Sequence, residues 1–187
     1  VDNGISSIEG VEKANSLGIQ VIVTDHHLPG ASLPNAAAIV NPNQPGCSFV
    51  TKNLAGVGVA FYLLSALRGQ LRANNWFAEN SIAEPNMATW LDLVALGTVA
   101  DVVPLDQINR ALVHQGLMRI RAGHCRPGIK ALLTIAGKNP QRLVATDLGF
   151  ALGPRLNAAG RLDDISLGIQ CLLTSDPQLA MDTAREL

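Results

Sequence analysis

The chain has 187 residues, of which 48% are hydrophobic and 16% are charged, and this composition excludes an intrinsically disordered protein. Its formal net charge of −1 does not by itself indicate a nucleic-acid partner. Three widely spaced cysteines fit neither a disulfide framework nor a zinc site, so we expect a reducing, cytoplasmic environment. The sequence begins without Met or a signal peptide, so we expect a piece of a longer protein with no membrane partner.

The N-terminal part of the sequence alternates between predicted strands and a predicted helix. Strands are predicted at the chain start (Val1 and Asp2), at 19–24 and at 36–40, and a helix is predicted at 7–17. This order of strand, helix, strand, loop and strand is typical of a parallel α/β sheet.

From residue 55 onward the sequence predicts mainly helices. They are predicted at 55–72, 87–100, 106–121, 127–136, 146–150, 157–159 and 164–173 and from Pro177 onward, with Asp176 as the last N-cap. The near-apolar run 55–67 is shorter than the roughly 20 residues of a membrane span, so it predicts a buried helix. Its glycines, Gly56 and Gly58, predict close packing on the sheet. We therefore predict an α/β domain at 1–105 and a helical continuation at 106–187.

Positive charge is concentrated in the helical part. Residues 108–162 contain nine cations and a single anion, Asp147, whereas the rest of the chain carries a net charge of −9. The nine cations are Arg110, Arg119, Arg121, Arg126, Lys130, Lys138, Arg142, Arg155 and Arg161. A basic segment beside an acidic remainder fits a polyanion partner next to a carboxylate-bearing metal site. A solvated helical surface explains the charge equally well.

Metal-competent side chains follow the predicted strands. Asp25, His26 and His27 come directly after the run 19–24, where ligands bind in open α/β sheets. Asp2 ends the preceding strand, and consecutive parallel strands usually lie side by side. Asp101 closes a later apolar run and could bring a third ligand to the same edge. Carboxylates mixed with imidazole suit Mn²⁺ or Mg²⁺ better than structural zinc, and we favour this over capping roles for these residues.

Four stretches in chain order resemble motifs of the DHH phosphoesterase family, namely 1–5, 21–27, 95–105 and 153–161. Together they are similar to the single-stranded-DNA-specific 5′→3′ exonucleases of this family. The resemblance implies a parallel-sheet DHH phosphoesterase domain with a largely helical C-terminal part. It also implies phosphodiester hydrolysis with two Mn²⁺ or Mg²⁺ ions, in DNA repair and recombination.

The resemblance also implies a role for each matching residue. Asp2 would bridge the two metals, and His26 and Asp101 would ligate one of them. His27 would face the scissile phosphate as a catalytic residue. Asp25 would orient the histidines, a common arrangement for metal-bound imidazole.

The stretch at 153–161 would contact the DNA substrate. Arg155, Asn157 and Arg161 match an arginine-bearing motif of the family, and arginine binds phosphate in a bidentate way. The alternative is a structural ion pair between one of these arginines and Asp163 or Asp164.

The resemblance further implies that parts of the family's pattern lie outside this sequence. An Asp-rich first motif would precede Val1, and two further domains would follow Leu187, so we expect the chain alone to be inactive or nearly so. A single-strand-binding protein and a RecQ-type helicase are the partners that the family implies.

Two alternative functions stay open at this point. One is a family member that hydrolyses cyclic dinucleotides, short oligonucleotides or pyrophosphate, and the extended basic segment argues against it. The other is a non-catalytic nucleic-acid-binding module, and the intact set Asp2, His26, His27 and Asp101 argues against that.

Overall fold

The N-terminal part of the structure, a computed structural model that describes residues 1–159 and 165–187, contains a two-stranded parallel sheet. Strand β1 (Ile22–Thr24) pairs with β2 (Ala38–Val40), and Thr24 lies opposite Val40. Helix α1 (Ile8–Ser16) precedes β1, as its apolar spacing predicts.

The chain start differs from its prediction, because Val1 and Asp2 do not form a strand. Asp2 has a backbone φ of 55°, which is incompatible with extended conformation, and its N–H donates to the Thr24 carbonyl at 2.8 Å. A 3₁₀ turn at Gly4–Ser6 follows and buries Ile5. The chain start therefore lies beside the end of β1 without extending the sheet.

Two helices follow the sheet and the loop after it. Helix α2 (Gly56–Ala73) contacts β1, and the short α3 (Trp76–Glu79) lies between two of the predicted helices. The prediction that α2 is a buried helix is wrong for its later turns, because Leu64 and Leu67 are exposed. The helix buries mainly its first turns, around Gly58 and Val59. Within the described residues, no helix is both long and apolar enough to span a bilayer.

The rest of the described chain is mainly helical, in agreement with the predicted C-terminal part. Its α-helices are α4 (Leu91–Ala100), α5 (Gln107–Arg121), α6 (Pro127–Ile135), α7 (Ala145–Asp147), α8 (Gly153–Ala159), α9 (Ser166–Leu173) and α10 (Pro177–Glu186). Three shorter elements are 3₁₀ turns at Met87–Trp90 and Pro140–Arg142 and a π-helix at Leu148–Leu152. Asp176 caps α10 through bonds from the Gln178 and Leu179 N–H groups, as predicted.

The core of the helical part lies where α6 packs against α9 and α10. Ile129, Leu132 and Leu133 on α6 are fully buried there. A side chain at Gly128 would place its Cβ 1.9 Å from the Cys171 carbonyl oxygen, so only glycine permits this approach of α6 to α9.

The described residues divide into two units. The first comprises Val1–Met87 with Val103–Asn109, and the second comprises Ala88–Val102 with Arg110–Leu187. The first holds the parallel sheet, and the second holds the helical core. The domain boundary that we placed at residue 105 stays a prediction beside these units.

Candidate metal centre

Asp25 is the structural centre of the site. It directly follows β1, its N–H donates to the Val40 carbonyl, and its side chain is fully buried. One carboxylate oxygen accepts the Ile5 N–H at 2.8 Å. The other accepts the N–H groups of His26 and His27 at 2.7 and 3.1 Å and contacts His27 Nδ1 at 2.7 Å.

These contacts keep Asp25 ionised. Burial alone raises the pKa of its carboxyl group, but the bonds donated by the Ile5 N–H, the His27 ring and the two histidine N–H groups outweigh it. The pKa of Asp25 falls from 3.8 to about 2. Because a carboxylate only accepts hydrogen bonds, His27 Nδ1 donates to it, and in the neutral ring the lone pair lies on Nε2.

Three side chains at this strand end can share one cation. Asp2, His26 and His27 each offer a ligand atom, and these atoms lie within 4.8 Å of one another. His26 Nε2 is 3.2 Å from Asp2 Oδ1, and the two imidazole rings are 4.3 Å apart. The side chain of His26 is 11% exposed, and those of Asp2 and His27 are 58% and 48% exposed. The cluster is therefore anchored on its buried side and accessible on the other.

The donor set fits a divalent cation such as Mn²⁺ or Mg²⁺. It combines one carboxylate with two imidazoles and includes no thiolate, whereas structural zinc sites are usually rich in cysteine. Carboxylate oxygen suits both cations, and the imidazole nitrogens favour Mn²⁺, which binds them more readily.

The backbone around Asp2 is tightly constrained. Asp2 and Asn3 have φ values of 55° and 122°, which non-glycine residues rarely adopt. Gly56, the first residue of α2, lies against the carboxylate, since a Cβ at this position would be 2.8 Å from Asp2 Oδ1. Gly56, predicted from sequence to allow helix–sheet packing, thus also leaves room for the Asp2 carboxylate.

Asp101 belongs to the second unit, where it caps the C-terminus of α4. Its N–H donates to the Gly97 carbonyl at 2.9 Å. The next residue, Val102, has a φ of 58°, an outlier for a β-branched side chain. The assignment of Asp101 as a metal ligand stays a prediction.

The predicted DNA-contacting residues lie on α8, also in the second unit. Arg155 is half-buried and Asn157 is exposed. Arg155 lines an open pocket with Phe150 and Pro154. Arg161 lies outside the described residues, as do both aspartates of the alternative ion pair.

Sequence reasoning missed two asparagines that contact the histidines. Asn41 Nδ2 donates to the His27 carbonyl at 2.9 Å, and Asn43 Nδ2 donates to the His26 carbonyl at 2.6 Å. Asn41 follows β2 as Asp25 follows β1, so the same position after a predicted strand could have indicated it.

Comparison with known proteins identifies the family. The model of the DHH family, N-terminal domain, matches residues 1–98. The chain belongs to the DHH family. The match includes Asp2 and the Asp25–His27 stretch and ends before Asp101.

Several relatives that match this chain are exonucleases by name. The single-stranded-DNA-specific exonuclease RecJ of Escherichia coli is 66% identical over all 187 residues, and the chain spans 32% of its length. A crystal structure of exonuclease RecJ bound to manganese matches the whole chain with a TM-score of 0.82 at 35% identity, over 44% of its own length. A crystal structure of RecJ from Thermus thermophilus in complex with Mn²⁺ matches the whole chain with a TM-score of 0.81 at 36% identity, over 26% of its own length. These matches confirm the predicted α/β fold class.

Proposed function

We propose that this chain forms part of a metal-dependent exonuclease that hydrolyses single-stranded DNA in the 5′→3′ direction. The observation that carries the proposal is the cluster of Asp2, His26 and His27, held at a strand end by the buried Asp25. The identity to RecJ proteins over the whole chain supports DNA as the substrate. DNA repair and recombination is the corresponding cellular role.

Asp2, His26 and Asp101 would hold Mn²⁺ or Mg²⁺, with His27 adjacent to them. The chemistry supplied there by such a cation is that of a Lewis acid, which lowers the pKa of bound water and offsets charge on phosphate oxygens. Solved RecJ structures in complex with Mn²⁺ and with Mg²⁺ support a divalent cation of this kind at the site.

The residues around the cation site have separate tasks. Asp25 holds His27 Nδ1, so the ring presents Nε2 on its accessible side, where it can accept a hydrogen bond or a proton. The same carboxylate fixes the N–H groups of both histidines. Hydrogen bonds to one buried, ionised group thus orient the imidazoles before substrate binds.

Arg155, Asn157 and Arg161 would bind the DNA backbone. The position of Arg155 at an open pocket with an exposed aromatic neighbour, Phe150, supports a contact with single-stranded nucleic acid. The strained conformation of Val102 supports a fixed placement of the neighbouring Asp101.

The test uses the protein that carries this chain together with its His26→Ala and Asp101→Ala variants. Mn²⁺ is supplied with single-stranded DNA labelled at its 5′ or 3′ end and, in parallel, with a cyclic dinucleotide. We expect degradation from the 5′ end and a loss of at least about 100-fold in both variants, because each removes a metal ligand.

An exposed histidine of α5, His114, provides the matched control, and His114→Ala should retain full activity. If the DNA stays intact and the cyclic dinucleotide is hydrolysed, the protein acts on small substrates instead. Binding of DNA without cleavage, unaffected by metal, would instead favour a non-catalytic module.

A further inference from the structure

We propose that Asn41 and Asn43 are positioning residues that orient His26 and His27 through their main-chain carbonyls. Asn41 is buried and donates to the His27 carbonyl, and Asn43 is half-buried and donates to the His26 carbonyl. This inference rests on the proposed function, because it concerns the two histidines that the proposed function places at the cation site.

Side chains hold every main-chain polar group of the two histidines. Asp25 accepts both of their N–H groups, and the two asparagines donate to both of their carbonyls. Peptide planes are rigid, so fixing the N–H and C=O of consecutive residues fixes the backbone between them. The direction of each Cα–Cβ bond, and so the placement of each imidazole, follows from that backbone.

The asparagines are themselves held by hydrogen bonds within one loop. Asn41 Oδ1 accepts the Asn43 N–H at 2.8 Å, and Asn43 Nδ2 also donates to the Lys52 carbonyl at 3.2 Å. Lys52 Nζ donates back across the loop to the carbonyls of Pro42 and Cys47 at 2.5 and 2.7 Å. The loop after β2 thus supports the turn after β1 through hydrogen bonds to the histidine carbonyls.

The pairing of β1 with β2 explains why this loop lies close to the histidines. Thr24 and Val40 are opposite each other at the ends of the paired strands, so Asp25 and Asn41 leave the sheet side by side. Asp25 N–H donates to the Val40 carbonyl at 3.0 Å, which continues the ladder by one step. Asparagine suits position 41, after β2, because its side-chain amide can donate one hydrogen bond and accept another at the same time.

The experiment measures Mn²⁺ binding directly, in the protein that carries this chain and in its Asn41→Ala and Asn43→Ala variants. The signal of free Mn²⁺ in electron paramagnetic resonance gives the dissociation constant without any substrate. Asn15→Ala is the matched control, since Asn15 Nδ2 makes the same kind of bond, to the Asn35 carbonyl at 2.8 Å, on an exposed surface.

We expect each variant to weaken Mn²⁺ binding by about 10-fold or more, the usual effect of losing a partner that orients a metal ligand. Exonuclease activity should recover towards the wild-type kcat as Mn²⁺ is raised, and Asn15→Ala should bind Mn²⁺ like the wild type. Thermal unfolding monitored by circular dichroism identifies any variant that fails to fold. If Asn41→Ala fails to fold, the Mn²⁺ affinity of the variant at the half-buried Asn43 decides the test.

Wild-type Mn²⁺ affinity in a folded Asn43→Ala variant would overturn this inference, even if its activity fell. That outcome leaves the proposed function intact, because the unaltered protein would still bind Mn²⁺ and cleave DNA. Failure of the unaltered protein to bind Mn²⁺ would instead overturn the proposed function, and this inference with it.

Discussion

Asp25 shows how one buried carboxylate can organise a site. It joins the turn after Asp2, through the Ile5 N–H, to the two histidines that follow β1. The charged group has no direct access to water and depends on these donors. The placement of the histidines and the stability of the surrounding loops therefore depend on the same residue.

Asp25→Asn should destabilise the protein by about 1–3 kcal/mol. The amide replaces one of the two acceptor oxygens with an NH₂ group, which would face N–H donors and leave them unpaired. Urea denaturation measures the change in the free energy of unfolding. Asp182→Asn, at an exposed position on α10, is the control and should change stability little. An equal effect of the two variants would contradict the role given to Asp25.

Gly56 is the second residue on which the site depends. Gly56→Ala should weaken Mn²⁺ binding by about 10-fold. The new Cβ would lie only 2.8 Å from Asp2 Oδ1, so the Asp2 carboxylate would have to move. Gly69→Ala lies on the same helix with nothing within 4 Å of its Cβ and should leave the affinity unchanged. Equal Mn²⁺ affinities in a titration of both variants would show that Asp2 can move without cost.

At the scale of elements, α4 and α6 are joined by a buried ion pair. Asp92 in the first turn of α4 accepts the Arg126 N–H at 2.8 Å and the Arg126 guanidinium at 2.7 Å. Arg126 precedes Pro127, the first residue of α6. One member of the basic segment thus has a structural role in the helical core.

Arg126→Ala should lower the free energy of unfolding by about 3–5 kcal/mol, because it leaves the Asp92 charge buried without its partner. Arg185→Ala removes an exposed partner of Asp182 and should cost at most about 1 kcal/mol. Chemical denaturation of both variants gives the comparison. Similar losses in the two would mean that the Asp92 carboxylate reaches water or becomes protonated.

The start of α5 depends on the ionisation of Asp106. Burial raises the pKa of its carboxyl, but bonds from Thr51, the Asn109 N–H, Asn53 and the Ile108 N–H lower it below its usual value. The stabilisation from Asp106 is therefore complete above the unfolded pKa of 3.8 and is lost as the pH falls through the lowered folded value.

The stability difference between wild type and Asp106→Asn should therefore be constant near neutral pH and shrink below about pH 4. Urea denaturation at a series of pH values from neutral to acidic measures it. A difference that grows on acidification would have the wrong sign for a carboxyl with a lowered pKa.

At the scale of the whole molecule, the basic segment is only partly available to a polyanion. Arg126 pairs with Asp92, Lys138 pairs with Asp147, and Arg121 donates to the Leu143 carbonyl. Arg110, Lys130 and Arg142 are exposed. Both the polyanion and the solvated-surface interpretations of this segment therefore concern its exposed members.

Single-stranded DNA binding by the protein that carries this chain should weaken steeply with salt, by roughly 10-fold or more between 50 and 200 mM, if several of these cations contact phosphates. Fluorescence anisotropy of a labelled oligonucleotide, without divalent metal, measures the slope. A nearly salt-independent affinity would favour a compact pocket for a small substrate.

The sequence by itself determined the local features of this protein. Apolar spacing located most of the longer helices and the two paired strands, and Asp176-Pro177 located the start of α10. It missed α3 and the first turn of α8. The polar residues Asp25, His26 and His27 after a strand indicated the site, because strand ends place such side chains at one edge of a sheet. Four ordered motifs indicated the family, which the comparison confirmed.

Only the tertiary structure decided which distant residues support that site. Asn41 and Asn43 contact the histidine carbonyls because β1 and β2 pair in register, and no local pattern encodes that register. The approach of Gly56 to Asp2 likewise joins segments that are far apart in sequence. Propensity and spacing act over a few residues, whereas these contacts depend on chain packing across tens of residues.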